Sequence, residues 1–269
     1  MLAGCAEVSA PTLTPTPAVS GPTLAPSPVI RPLLPTERPP EFFSSGQNDP
    51  LAAAVPSGGE LPPLVVATAI PGSAQQVVQI TLPDGALLEG DLYQLGAERI
   101  PGVVFLAMDR AAWGDFPARV QAAGFTALAL EVRDPSNIGD FQAALQAFIE
   151  VGTVDPARIG VVGAAETADL ALLGCAADLL CDTAVLLSPL QREPLLNAMS
   201  AYNPRPLLVA ASEDDPDSFA VAQVLAESAS GEALFQPFTS AGRGTAMLQS
   251  RPDLGDLIVT WLRRWLVER

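Results

Sequence analysis

Val154-Asp-Pro-Ala-Arg-Ile-Gly-Val-Val-Gly163-Ala-Ala-Glu-Thr167 lies near the middle of the chain and decides its architecture. Asp155-Pro-Ala-Arg158 reads as a turn. Ile159-Gly-Val-Val162 is an unbroken apolar run, as a strand buried on both faces requires. The small residues 163–167 then reverse the chain into a helix predicted over Ala168–Ala177. Outward from this unit the same alternation repeats. Upstream, Val103–Ala107 and Phe125–Leu130 read as buried strands. Helices are predicted over Trp113–Ala123, ending at Gly124, and over Gly139–Val151. Downstream come strands at Thr183–Leu187, Pro206–Ala210 and Ala233–Phe238, with helices at Phe219–Ser228 and Leu254–Val267. Before them, Gln76–Leu82 and Ala86–Gln94 alternate around Pro83-Asp-Gly85, the pattern of a hairpin with one buried face. A hairpin followed by regular strand–helix alternation predicts an α/β fold, a mostly parallel doubly wound sheet with helices on both faces.

The composition narrows the chemistry. The 269 residues hold 14 basic side chains, all arginine, against 30 acidic ones and no histidine, for a formal charge of −16. Without histidine there is no Ser-His-Asp triad, no Cys-His pair and no imidazole metal ligand. Without lysine there is no Ser-Lys dyad, Schiff base or phosphate-loop lysine, and 163–167 is no phosphate loop. The charge argues against nucleic acid, whose phosphates require a basic footprint. It also gives no attraction to anionic lipid. No cofactor or metal is implied; the acidic run Glu213-Asp-Asp-Pro-Asp217 lacks the spacing of a calcium loop and reads as a solvated turn.

Residues 1–64 carry 14 of the 27 prolines, interleaved with Thr, Ser and Ala. Proline fixes φ and removes a donor, so 1–75 is read as a disordered linker unable to build a helix or sheet ladder, and 76–269 as the folded domain. No run of about 20 apolar residues is present to span a membrane. Leu2-Ala-Gly-Cys5 resembles the lipobox of bacterial lipoproteins, in which the cysteine is lipidated, and the Pro/Thr/Ser stretch resembles the tether that follows it. Only four residues precede Cys5, so the expectation includes an upstream start that supplies a signal peptide. It implies a membrane partner through a lipid on Cys5 and a place in the cell envelope. In that compartment Cys175 and Cys181 could pair; two buried free thiols are the alternative.

From Gln76 to the end the order resembles an α/β-hydrolase, in particular the dienelactone-hydrolase and esterase branch. The carriers are the opening hairpin, Pro101–Leu106, Ala123-Gly-Phe125, Val154–Gly163, Leu187-Ser-Pro189, Arg205–Ala210 and Gly242-Arg-Gly-Thr-Ala246. The resemblance places the nucleophile elbow, Gly-x-Ser-x-Gly in the family, at Gly163-Ala-Ala-Glu-Thr167. It puts Ala165 at the nucleophile, Asp215 at the acid with Asp217 as fallback, and Arg243 at the histidine. The oxyanion donors fall on the backbone of Glu166 and Met108. Alanine cannot attack, and a guanidinium with a pKa above ~12 cannot act as a base. The resemblance therefore implies a serine hydrolase that has lost catalysis and serves as a binding or structural module for a small molecule or protein. The alternative is an unconventional ester or lactone hydrolase using Glu166 and Asp215, or Ser188, Ser212 or Ser240; turn and cap chemistry is the simpler role for those serines. Arg243 is expected to pair with Asp215, Glu166 or both through two parallel hydrogen bonds. Trp113, Trp261 and Trp265 have the spacing of core residues.

Overall fold

The computed structural model describes residues 30–32, 75–96 and 98–268. Among these, nine strands form one sheet: β1 (Ile30–Pro32), β2 (Gln75–Thr81), β3 (Leu87–Tyr93), β4 (Ile100–Ala107), β5 (Thr126–Glu131), β6 (Val154–Ala164), β7 (Thr183–Leu187), β8 (Leu207–Ser212) and β9 (Ala233–Phe238). Their order is β1-β2-β3-β5-β4-β6-β7-β8-β9. β4 to β9 run parallel, while β1, β2 and β3 are antiparallel neighbours and β3 joins β5 antiparallel. The hairpin turn closes as its sequence requires. Gly85 takes φ +82°, and the Asp84 carboxylate accepts the Ala86 amide at 3.0 Å.

Seven α-helices join these strands: α1 (Phe116–Ala122), α2 (Ile138–Glu150), α3 (Glu166–Ala177), α4 (Arg192–Tyr202), α5 (Pro216–Ser228), α6 (Ala246–Ser250) and α7 (Pro252–Leu266). None of the described helices is long and apolar enough to cross a membrane. Side chains alternate across the sheet. Val104 and Leu106 of β4 join the core under α2 to α5, while Val103, Phe105 and Ala107 join the core under α1 and α7. Two-sided burial is why the central strands read as unbroken apolar runs. α7 is fixed by a polar contact within this core: Trp261 Nε1 donates to Thr183 Oγ1 at 2.8 Å, and Thr183 in turn donates to the Pro206 carbonyl at 2.9 Å. Trp113 and Trp261 are buried, as their spacing predicted.

Three expectations need correction. Residues 30–32 do form a ladder, with Ile30 opposite Ile80 and Pro32 opposite Val78. A proline at the end of an edge strand removes no bond the sheet needs; the remainder of the predicted linker, with Cys5, lies outside the described residues. The helix predicted from Trp113 is two pieces, a 3-10 turn at Arg110–Trp113 and then α1, because Gly114 takes φ +57° and Pro117 favours a fresh helix start. α4 and α6 were passed over. α4 buries only Leu195, Met199 and Tyr202, and Pro194 lies within its first turn.

Cys175, in α3, and Cys181, just before β7, are bonded, with Cα atoms 5.3 Å apart and both residues fully buried. The bridge closes a short loop across the helix end. By the loop-entropy relation it stabilises the fold by about 2 kcal/mol. Reduction, or Cys175→Ser with Cys181→Ser, is expected to lower the unfolding midpoint by roughly 4–8 °C in a thermal melt, without loss of the fold by circular dichroism.

Candidate functional site

The turn between β6 and α3 lies at the centre of the sheet's carboxyl edge, where parallel α/β sheets place their ligands. Ala165 has φ +53° and ψ −121°, a region that side-chain-bearing residues rarely adopt and that costs of order 1–3 kcal/mol. Three contacts hold it there. The Ala165 amide donates to the Leu187 carbonyl at 2.8 Å. Gly163 lies so close to α3 that a Cβ would stand 2.3 Å from the Thr167 carbonyl oxygen. The buried Thr167 hydroxyl lies 2.5 Å from the Leu106 carbonyl and accepts the Ala164 amide at 3.1 Å. At the second glycine position of the elbow, threonine thus ties β4 to β6 instead of leaving space.

Around this turn the structure gathers most of the residues expected at the site. Ala164, Ala165, Glu166, Met108 and Arg243 line one open cleft of about 450 Å3, with Asp109, Ala112, Gly244 and Thr245 completing its walls. Asp215 stands behind it at the start of α5. Arg243 bridges two carboxylates: Nη2 is 3.4 Å from Glu166 Oε1, and Nε is 3.7 Å from Asp215 Oδ2. The expected bidentate pairing is not formed; each contact is single and long. The Arg243 and Glu166 side chains are about half exposed, at 45% and 54%, whereas that of Asp215 is 18% exposed. Asp215 Oδ2 is itself buried without a hydrogen-bond donor. Asp217 is exposed in the first turn of α5, and the ion pairs of Arg243 among the described residues are those with Glu166 and Asp215.

The serines have structural partners. Ser188 is fully buried at φ +57°; its hydroxyl accepts the Gly244 amide at 2.9 Å and approaches Met247 Sδ at 3.3 Å. This contact fixes the Arg243 loop over the elbow, where Gly244 lies so close that a Cβ on it would stand 3.4 Å from the Ala165 methyl. Ser212, also fully buried, donates to the Asp214 carboxylate and accepts the Ala241 amide at 2.9 Å. The donated hydroxyl holds the Asp214 carboxyl below the usual carboxylate range. Ser240 is exposed at φ +52° on the following loop.

Sequence reasoning missed Asp169. Its buried carboxylate accepts the Leu190 amide at 2.8 Å and the Gln191 amide at 3.2 Å, fixing the loop after β7 against α3. Burial pushes this carboxyl up, against the pull of the two backbone donors. The signal was an acid one turn into an otherwise apolar helix.

No protein-family model and no curated protein sequence matches the chain. Solved structures do. The structure titled as DcsB in complex with its substrate analogue matches at TM-score 0.63 and 12% identity, over 71% of this chain and 100% of that one. The α/β hydrolase GrgF from Penicillium sp. sh18 matches at TM-score 0.61 and 13% identity, over 71% and 99%. The esterase domain of a Rhodothermus marinus protein matches at 0.61 and 14%, over 71% and 99%. The chain has the α/β-hydrolase fold. At these identities the likeness concerns the fold alone. Within the α/β-hydrolase fold, the strand-to-helix turn that positions a nucleophile is here occupied by an alanine that still adopts the strained conformation.

The long contacts of Arg243 set a limit on their energy. In double-mutant cycles followed by denaturant unfolding, Arg243→Ala with Glu166→Ala is expected to show coupling below about 1 kcal/mol, as exposed pairs do. The cycle of Arg243→Ala with Asp215→Ala is expected to show the larger coupling, since Asp215 is the more buried partner.

Proposed function

We propose that this chain is an α/β-hydrolase-fold domain that has lost serine-hydrolase catalysis and acts as a binding module at the cell envelope, held there by a lipid on Cys5. The observation that carries the reading is the Ala165 turn. A strained backbone persists only where the surroundings enforce it, and in this fold such a turn exposes a nucleophile. Here it exposes a methyl group. The position assigned to the base holds Arg243, which cannot take a proton at neutral pH. The carboxylate of Glu166 stands beside the amide assigned to the oxyanion hole, where it opposes developing negative charge. The serines offered as substitutes are committed elsewhere: Ser188 supports the Gly244 amide and Ser212 the Asp214 carboxylate. A cleft of about 450 Å3 over the turn suits a small ligand.

The envelope reading rests on Leu2-Ala-Gly-Cys5 with its Pro/Thr-rich continuation and on the Cys175–Cys181 bridge, a bond that persists in oxidising compartments. Expressed from an upstream start, the chain is expected to incorporate labelled palmitate and to lose the label in Cys5→Ser; equal labelling of that variant would contradict the anchor. Purified protein is expected to hydrolyse para-nitrophenyl acetate no faster than buffer. Ala165→Ser alone is expected to restore little, because it supplies no base. Turnover by the unaltered chain that survives further purification and is lost in Glu166→Gln or Asp215→Asn would establish an unconventional hydrolase instead.

A further inference from the structure

The cleft over Ala165 does not end at Thr245. A second cavity of about 220 Å3 shares the Ala112 and Thr245 walls and continues between Trp113, Phe116, Leu248 and Gly255. The two chambers therefore form one bent site, polar at the Arg243 end and largely apolar at the Trp113 end. Its polar groups divide unevenly. Donors without firm acceptors are present at both ends. Trp113 is 3% exposed and its Nε1–H has no hydrogen-bond partner. Arg243 makes only its 3.4 and 3.7 Å contacts, which leaves most of the five guanidinium N–H groups open. The acceptors, by contrast, are charged: Asp109 and Glu166 line the first chamber and Asp215 stands behind Arg243. Three carboxylates against one guanidinium leave the polar end with net negative charge, within a chain of formal charge −16.

Resting on the binding-module reading, we propose that the two chambers together take an uncharged carbonyl compound with an aromatic or alkyl arm, and that they exclude the matching carboxylate. The carbonyl oxygen accepts from the Arg243 guanidinium. The arm passes Thr245 into the Trp113–Phe116 chamber, where Trp113 Nε1 can reach a further acceptor oxygen after a small displacement. Met108, 46% exposed at the rim, supplies an adaptable apolar edge. A carboxylate would bring a second negative charge to a guanidinium already faced by two, and would lose by repulsion what it gained from Arg243. Arg243 is thus a specificity-determining residue, a hydrogen-bond donor whose charge is already spent on its neighbours.

The test uses the full chain and three isosteric probes with one phenylpropyl frame: N,N-dimethyl-3-phenylpropanamide, 3-phenylpropanoate and N,N-dimethyl-3-phenylpropylammonium. Affinities are read by calorimetry and ligand-observed NMR. The amide is expected to bind at least tenfold more tightly than either ion. Arg243→Ala is expected to weaken the amide about tenfold. Glu166→Gln is expected to improve the carboxylate several-fold and leave the amide unchanged. Trp113→Phe removes an unsatisfied donor, so it is expected to melt no lower than the unaltered chain; with the N,N-dimethyl amide, which has no second acceptor, its affinity is expected to hold. The corresponding 4-methoxyphenyl amide, which carries that acceptor, is expected to bind more tightly to the unaltered chain and to lose the advantage in Trp113→Phe. A carboxylate bound as tightly as the amide, an ammonium bound best, or saturable binding of none of the three would each overturn the proposal. None of the probes is an ester, so failure here leaves the loss of hydrolysis standing, and ester turnover beside tight amide binding would sink only that loss.

Discussion

The left-handed turn at Ala165 is the constraint on which the rest of the site depends. β6 must end, reverse and start α3 within three residues while packed between β4 and β7. Only a positive φ at Ala165 and a bare Cα at Gly163 permit so close an approach. Thr167 adds a hydroxyl that bonds β4 and β6 at the point of reversal. These contacts are buried and belong to the core, so the turn is maintained by packing whether or not it carries a reactive group. Its shape can outlast its chemistry for that reason. A nucleophile is one side chain, whereas the turn is held by residues on β4, β6, α3 and the loop after β7.

The same separation explains the fate of the Arg243 loop. Its backbone is held by Ser188 through the Gly244 amide, and Gly244 lies directly against the Ala165 methyl. The side chain at 243 is free to differ as long as that contact remains. A guanidinium placed there finds Glu166 and Asp215 at long range and settles between them without a fixed geometry. Such an arrangement is weak as a structural clamp and leaves hydrogen-bonding capacity unspent, which is the property a binding site needs.

Most of the architecture was legible because its signals are local and two-sided. Val103–Ala107, Ile159–Val162 and Thr183–Leu187 are apolar throughout since they are covered on both faces. α4 was harder to read: three buried side chains in eleven residues and a proline in its first turn give little periodicity. The break at Gly114 was written in the sequence but looked like an ordinary helical residue until its φ was known. At the site, the positions of Ala165, Glu166, Asp215 and Arg243 followed from strand order, because strand order fixes which loops converge. The contact lengths did not, since they depend on where Glu166 and Asp215 leave room for a long side chain. The second chamber was invisible for a related reason: its walls come from residues near 113–119 and 245–255, brought together only by the packing of α1 against α7.

β1 changes what the proline-rich segment can do mechanically. Ile30, Arg31 and Pro32 are bound to the free edge of β2, opposite Ile80, Gln79 and Val78. A lipid on Cys5 would therefore hold the domain by the stretch up to Ile30, not by the whole length up to Gln75. Fully extended, the shorter stretch reaches at most about 80–90 Å, against roughly 230–250 Å for the longer one. The residues between Pro32 and Gln75 then become slack, closed at both ends on the same sheet edge. A pull on the anchor would load β2 first, and three ladder residues would be the fuse that releases the slack.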